Sequence, residues 1–201
     1  PLVQVDDLEH LVARAYQTSA ERDLIAELMR ATLKRPIQLR RLTPSGFEQF
    51  SCRLLEARSR DEGFPRRFRV VGRSHDREID GVGGHRYETG ADDVGRGSVL
   101  VQCKRTGKLN IEDVRDFARR AEEELALQRH VPMLADDLVE RVFVSTATTV
   151  EGNTRDARGE AASLGVELIL GDELVTLAQR HLDRACELGG RPYRSRRRRL
   201  K

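Results

Sequence analysis

After residue 43 the chain alternates short β-like runs with amphipathic helical stretches in the order α-β-β-β-α-β-α-β-α, and few folds accept that order. Three strands in succession read as an antiparallel group. Strands separated by helices read as parallel β-α-β units, whose crossover helices cover the sheet faces. The expected architecture is therefore α/β, a mixed sheet flanked by helices. No internal repeat is visible.

The elements are placed by their punctuation. Thr43 caps a helix with Pro44 at its first position, and Phe47, Phe50, Leu54 and Leu55 form an apolar stripe down to Arg58. Strands are expected at Phe68–Val71, after Pro65, at Glu78–Val82 and at Ser98–Lys104, with six glycines in the 81–97 connection marking a long hairpin. A helix covers Ile111–Arg129, and a loop with Pro132 follows. Arg141–Ser145 is a strand, Asn153–Leu164 a helix closed by Gly165, Val166–Leu170 a strand, and Asp172–Cys186 a helix capped by Asp172. Ahead of these, residues 6–34 read as two helices through Leu8, Leu11, Val12 and Ala15, then Leu24, Ile25, Leu28, Met29 and Leu33. Ser19 caps the second, and Pro36 closes the segment.

Composition narrows the class. The 201 residues suffice for one α/β domain with an accessory element, and no apolar run approaches the ~18 residues of a membrane helix. Pro1–His10 carries Asp6, Asp7 and Glu9 without a basic start, unlike a secretory leader, and opening on Pro1 fits a piece of a longer protein. Cys52, Cys103 and Cys186 are odd in number and lack a Cys-x-x-Cys pair, which argues against a disulfide framework or zinc ribbon and for a reducing, cytoplasmic setting. The net charge of +3 is misplaced as an average: residues 191–201 hold seven positive side chains and no acid, leaving 29 basic against 33 acidic groups, or −4, in the first 190. Arg194, Arg196, Arg197, Arg198 and Arg199 belong to this self-repelling run, expected to be a disordered arm suited to nucleic acid. Only four of the 36 basic residues are lysines, so a lysine kept inside a strand stands out.

That lysine is Lys104. In SVLVQCK, Val99, Val101 and Cys103 leave one face while Leu100, Gln102 and Lys104 leave the other. A Gln beside a Lys in a core-like strand is costly unless something answers it. Asp80, on the preceding hairpin strand, is the natural partner. Asp80 and the Gln102 carbonyl oxygen would make two hard oxygen ligands for Mg²⁺, and Lys104 could polarise water or neutralise charge on a phosphate. From the residues alone, Asp80 reads equally as a hairpin-turn acid and Lys104 as a strand-end lysine reaching water.

The succession LTPSGFEQFSCRLLEA, GRSHDREIDG, VLVQCKR, VFVSTATTVEGNTRDAR and GVELILGDELVTL resembles the Mrr-like branch of the PD-(D/E)XK restriction-endonuclease superfamily, from about Leu42 to Leu177. The resemblance implies that Glu48 is the acid of the first helix, Asp80 the metal-binding Asp, Gln102 the Glu/Gln of the (E/Q)-x-K signature, Lys104 its catalytic Lys, and Asp76 a further loop acid. Arg77 and Glu78 stand where that family usually has two glycines. His75 and His85 bracket Asp80 and could contact substrate. The resemblance implies DNA as partner and hydrolysis of its phosphodiesters with Mg²⁺, for which Mn²⁺ can substitute, in restriction or anti-phage defence. It divides the chain into an N-terminal helical extension (1–41), an endonuclease domain (42–187) and the basic tail (188–201). A catalytically weak nuclease-fold module that binds nucleic acid or mediates assembly is the alternative, and a second copy or a fused or partner sensor domain is a possible companion.

Overall fold

A computed structural model describes residues 11–12, 26, 29–30, 32–63, 65–71, 79–84, 98–127, 139–151 and 154–189. In chain order the elements are α1 (Pro36–Leu39), α2 (Pro44–Asp61), β1 (Arg67–Val70), β2 (Gly81–Gly84), β3 (Ser98–Lys104), β4 (Lys108–Leu109), α3 (Ile111–Leu127), β5 (Val139–Ser145), β6 (Thr149–Val150), α4 (Thr154–Ser163), β7 (Val166–Ile169) and α5 (Gly171–Gly189). Among the described residues no helix is long and apolar enough to cross a membrane.

The main sheet has the order β1-β2-β3-β5-β7. β1, β2 and β3 pair antiparallel, with Gly81 opposite Val101, while β3, β5 and β7 run parallel, with Gln102 opposite Phe143. This is the mixed sheet expected from the element order. Alternation along β3 divides the core. Val99 and Val101 join Phe47, Phe50 and Leu54 of α2 and Leu174, Ala178 and Leu182 of α5 on one face. Leu100 joins Val114, Phe117 and Ala121 of α3 and Ala157 and Ala161 of α4 on the other. Burying these stripes on both sides of one sheet is the main stabilising term, at roughly 25 cal/mol per Å² of apolar surface.

Thr43 caps α2 as expected, its hydroxyl accepting from Gly46 N at 3.0 Å, and Gly165 ends α4 with φ +65°. The preceding helical segment ends at Thr32, ahead of Pro36 as expected, and Pro36 also opens α1, where the Gln38 side chain accepts from the N–H groups of Lys34 and Arg35. Two expectations are corrected. Asp172 lies inside the first turn of α5, since Leu174 N already donates to Leu170 O at 2.7 Å. β2 begins at Gly81, although its ladder reaches Asp80, whose N–H donates to Val101 O at 2.9 Å. The two-residue β4 and β6 form a small parallel sheet of their own, too short to leave a pattern in sequence.

The edge strand β1 is tied to α2 by side chains. Arg66 N donates to Ser59 Oγ at 3.1 Å, and Phe68 N to Glu56 Oε2 at 3.1 Å. Glu56 is buried, and Arg53 and Arg60 stand at 3.4 Å from its oxygens. The N-terminal segment is part of the same body: Leu11, Val12, Ala26, Met29, Leu33 and Leu39 enter the cluster of α2 and α5.

Candidate active site

The parallel strands β3, β5 and β7 end on one rim, and the predicted residues gather where β3 ends. Asp80 precedes β2 directly. Its backbone still pairs with β3, so its side chain is delivered beside the last residues of that strand. Asp80 Oδ2 accepts from Cys103 N at 2.7 Å and from Gln102 Nε2 at 3.0 Å. The carboxylate thus takes the place a strand carbonyl would hold. Gly81 is required next to it, because a Cβ there would stand 2.5 Å from Cys52 Sγ.

Gln102 is 8% exposed, and its Oε1 is buried without a hydrogen-bond partner. The bonds from Cys103 N and Gln102 Nε2 to Asp80 both fall on Oδ2. An orphaned buried acceptor costs about 1–3 kcal/mol, so the Gln102 oxygen beside the Asp80 carboxylate is a fit place for a small cation. Electrostatics agrees. Burial pushes the Asp80 carboxyl up, against the Cys103 N–H that lowers it. Glu48, on α2, is pushed up to about 7 by burial and then by the Asp80 charge, with Arg105 opposing. Each acid is short of positive charge. Among the described residues no group of three His, Cys, Asp or Glu side chains stands ready for an ion, so a cation here would rest on two acids at most and an amide. The nearby thiols are not nucleophiles at neutral pH: burial raises Cys52 to about 12 and Cys103 well above its ordinary value.

Lys104 is separated from this pair. Its Nζ donates to Asp113 Oδ1 at 3.0 Å, in the first turn of α3, and it does not touch Asp80. The backbone under it is braced. Ser145 Oγ donates to Lys104 O at 3.1 Å, and Thr146 Oγ1 accepts from Thr106 N and donates to Thr106 O at 3.0 and 2.9 Å. Asp113 was invisible in sequence, where it reads as an ordinary acid favoured by a helix N-terminus. Asp76, His75, His85 and Arg194, Arg196, Arg197, Arg198 and Arg199 lie outside the described residues.

A sheet covered by helices on both faces, with an Asp, a Gln and a Lys at the carboxyl end of its central strand, is the frame of a restriction-endonuclease-like nuclease domain. The restriction endonuclease family model Mrr_cat matches residues 39–178, and the chain belongs to that family. No curated protein matches the chain at a significant level. Among solved structures, the MspJI restriction endonuclease in complex with a 27-mer oligonucleotide is similar over 87% of this chain and 35% of its own, at 17% identity and a TM-score of 0.51. The DNA modification-dependent restriction endonuclease AspBHI is similar over 88% and 40%, at 17% identity and a TM-score of 0.47. FokI bound to DNA is similar over 87% and 31%, at 18% identity and a TM-score of 0.45. The chain spans about a third of the length of MspJI.

Proposed function

We propose that this domain hydrolyses DNA phosphodiester bonds with a divalent cation, Mg²⁺ or in its place Mn²⁺, held by Asp80 and Gln102. The observation that carries this reading is the buried Gln102 Oε1, left without a donor beside the Asp80 carboxylate to which Gln102 Nε2 donates. When bound, the cation would supply Lewis-acid activation of water and neutralise charge on the phosphate. Gln102 uses its amide nitrogen to fix Asp80 and keeps its oxygen for the ion. Lys104 presents an ammonium group to the charge that grows on the phosphate, from a strand end that Ser145 and Thr146 hold in place. Glu48, near its midpoint at neutral pH, can take up or hold a proton next to Asp80.

DNA as substrate follows family membership and the oligonucleotide held by MspJI, whose fold this chain shares. The arginines of residues 191–201 supply sequence-independent attraction to that polyanion. Target choice then falls to another domain or partner, in keeping with a cytoplasmic restriction or anti-phage role. The test is incubation with supercoiled plasmid in Mg²⁺, Mn²⁺ or EDTA. Nicked and linear products with either metal and none in EDTA are expected; cleavage that persists in EDTA, or intact plasmid with both metals, overturns the reading.

A further inference from the structure

Among the described residues most arginines that cover the fold are ion-paired. Arg58 pairs with Glu167 at 2.5 Å, Arg119 with Glu123 and Asp116, Arg158 with Glu173, and Arg66 with Glu140. Arg40 breaks the pattern. Among the described residues its guanidinium makes neither ion pair nor hydrogen bond, and its Nε is buried without a partner. An unanswered buried guanidinium atom is costly, and an anion brought to this group would offset that cost.

Its position says which anion. Arg40 follows α1, which lies across the carboxyl ends of the parallel strands: a Cβ on Gly171 would stand 2.7 Å from Pro36 Cβ and 2.8 Å from Thr146 O. The Arg40 guanidinium rests on Gly107, where a Cβ would meet its Nη1 at 2.4 Å, three residues beyond Lys104. Arg105 ties the segment to the strand end by donating to Arg40 O at 3.0 Å and to Leu42 O, and its charge is felt by Glu48. Lys34 and Arg35, exposed on the approach to α1, make no ion pair among the described residues. A run of unpaired cations thus borders the rim that carries Asp80 and Lys104.

We propose that Arg40 is a backbone-phosphate clamp, taking a phosphodiester of the substrate strand that flanks the one presented to Asp80 and Lys104. This rests on the DNA reading above and adds a residue that the site itself does not contain. A guanidinium fork matches two phosphate oxygens, and a phosphate supplies the acceptors that Arg40 lacks in the free protein. Such a contact positions the strand without reading sequence.

The test is duplex DNA binding in EDTA across a salt series, which separates binding from cleavage. Each phosphate contact contributes about 0.9 to the slope of log affinity against log salt. Arg40→Ala is expected to flatten the slope by about one unit, while Arg119→Ala, which removes a neutralised arginine, leaves it unchanged. Gly107→Ala keeps every charge yet displaces the guanidinium, and should weaken binding as Arg40→Ala does. Thermal melts of all three variants matching the wild type keep a folding defect from mimicking the effect. A salt-dependent wild type whose slope survives Arg40→Ala overturns the clamp and leaves the DNA reading standing. A wild type that neither binds nor cuts DNA removes the DNA reading itself, and the clamp with it. Normal binding by Gly107→Ala beside weakened Arg40→Ala would also overturn the clamp, reducing Arg40 to diffuse charge.

Discussion

Lys104 Nζ is held 3.0 Å from Asp113 Oδ1, so the strand-end lysine is aimed by the first turn of the helix that follows it. Both side chains are partly exposed, and such a pair adds at most about 1 kcal/mol to stability. Its worth is positional. Asp113→Ala is expected to lower single-turnover plasmid cleavage on the order of tenfold, while the melting midpoint shifts little. Faster cutting by the variant would show that Asp113 restrains Lys104 instead of aiming it.

Asp80 has a structural duty as well as its proposed chemical one. Asp80→Ala leaves Cys103 N and Gln102 Nε2 without their acceptor, and is expected to cost about 1–3 kcal/mol. Asp80→Asn keeps an oxygen for Cys103 N, so it should melt near the wild type yet cut no plasmid in Mg²⁺. Cleavage by a folded Asp80→Asn protein would take this carboxylate out of the reaction.

Lys104→Arg preserves charge and can still reach Asp113, but replaces a compact ammonium with a planar fork. Its cleavage should stay near that of Lys104→Ala, measured on the same plasmid. Recovery of most of the wild-type rate would mean that position 104 asks only for positive charge.

Glu48 makes stability depend on pH. Its carboxyl titrates near 4.5 in the unfolded chain and is raised to about 7 in the fold. Between those values the folded state holds a proton the unfolded state has lost. The stabilisation is therefore full below about pH 4.5 and lost as pH rises through about 7. In EDTA, Glu48→Gln should melt higher than the wild type at about pH 8, with the gap closing toward about pH 4. An equal gap at both ends of a series of thermal melts would mean that Glu48 is not the group responsible.

Much of this was legible because β3 has a period of two. Alternation alone put Gln102 and Lys104 on the face opposite Val99 and Val101, and hairpin order alone brought Asp80 to Gln102 across 22 residues. What escaped had no period. α1 has four residues and β4 and β6 two each, lengths at which no repeat can show. Asp113 and Arg40 gain their meaning from neighbours 9 and 67 positions away, Lys104 and Gly107, contacts set by packing rather than by local pattern. The core that Leu11, Val12, Ala26, Met29, Leu33 and Leu39 share with α2 and α5 was hidden for the same reason: an amphipathic helix reads alike whether it covers its own core or someone else's.

The side chains that tie β1 to α2 have a consequence for how copies of this protein can meet. An outer strand normally offers its free amides to any passing chain, inviting addition of a further strand. Here Ser59 and Glu56 already occupy the amides of Arg66 and Phe68, which blunts the start of that border against strand addition. At the far border, β7, Glu167 sets its charge against Arg58 of the same chain, and an edge charge also discourages strand addition. Assembly, where it occurs, is steered toward helices and loops, away from the route by which sheet proteins most readily precipitate.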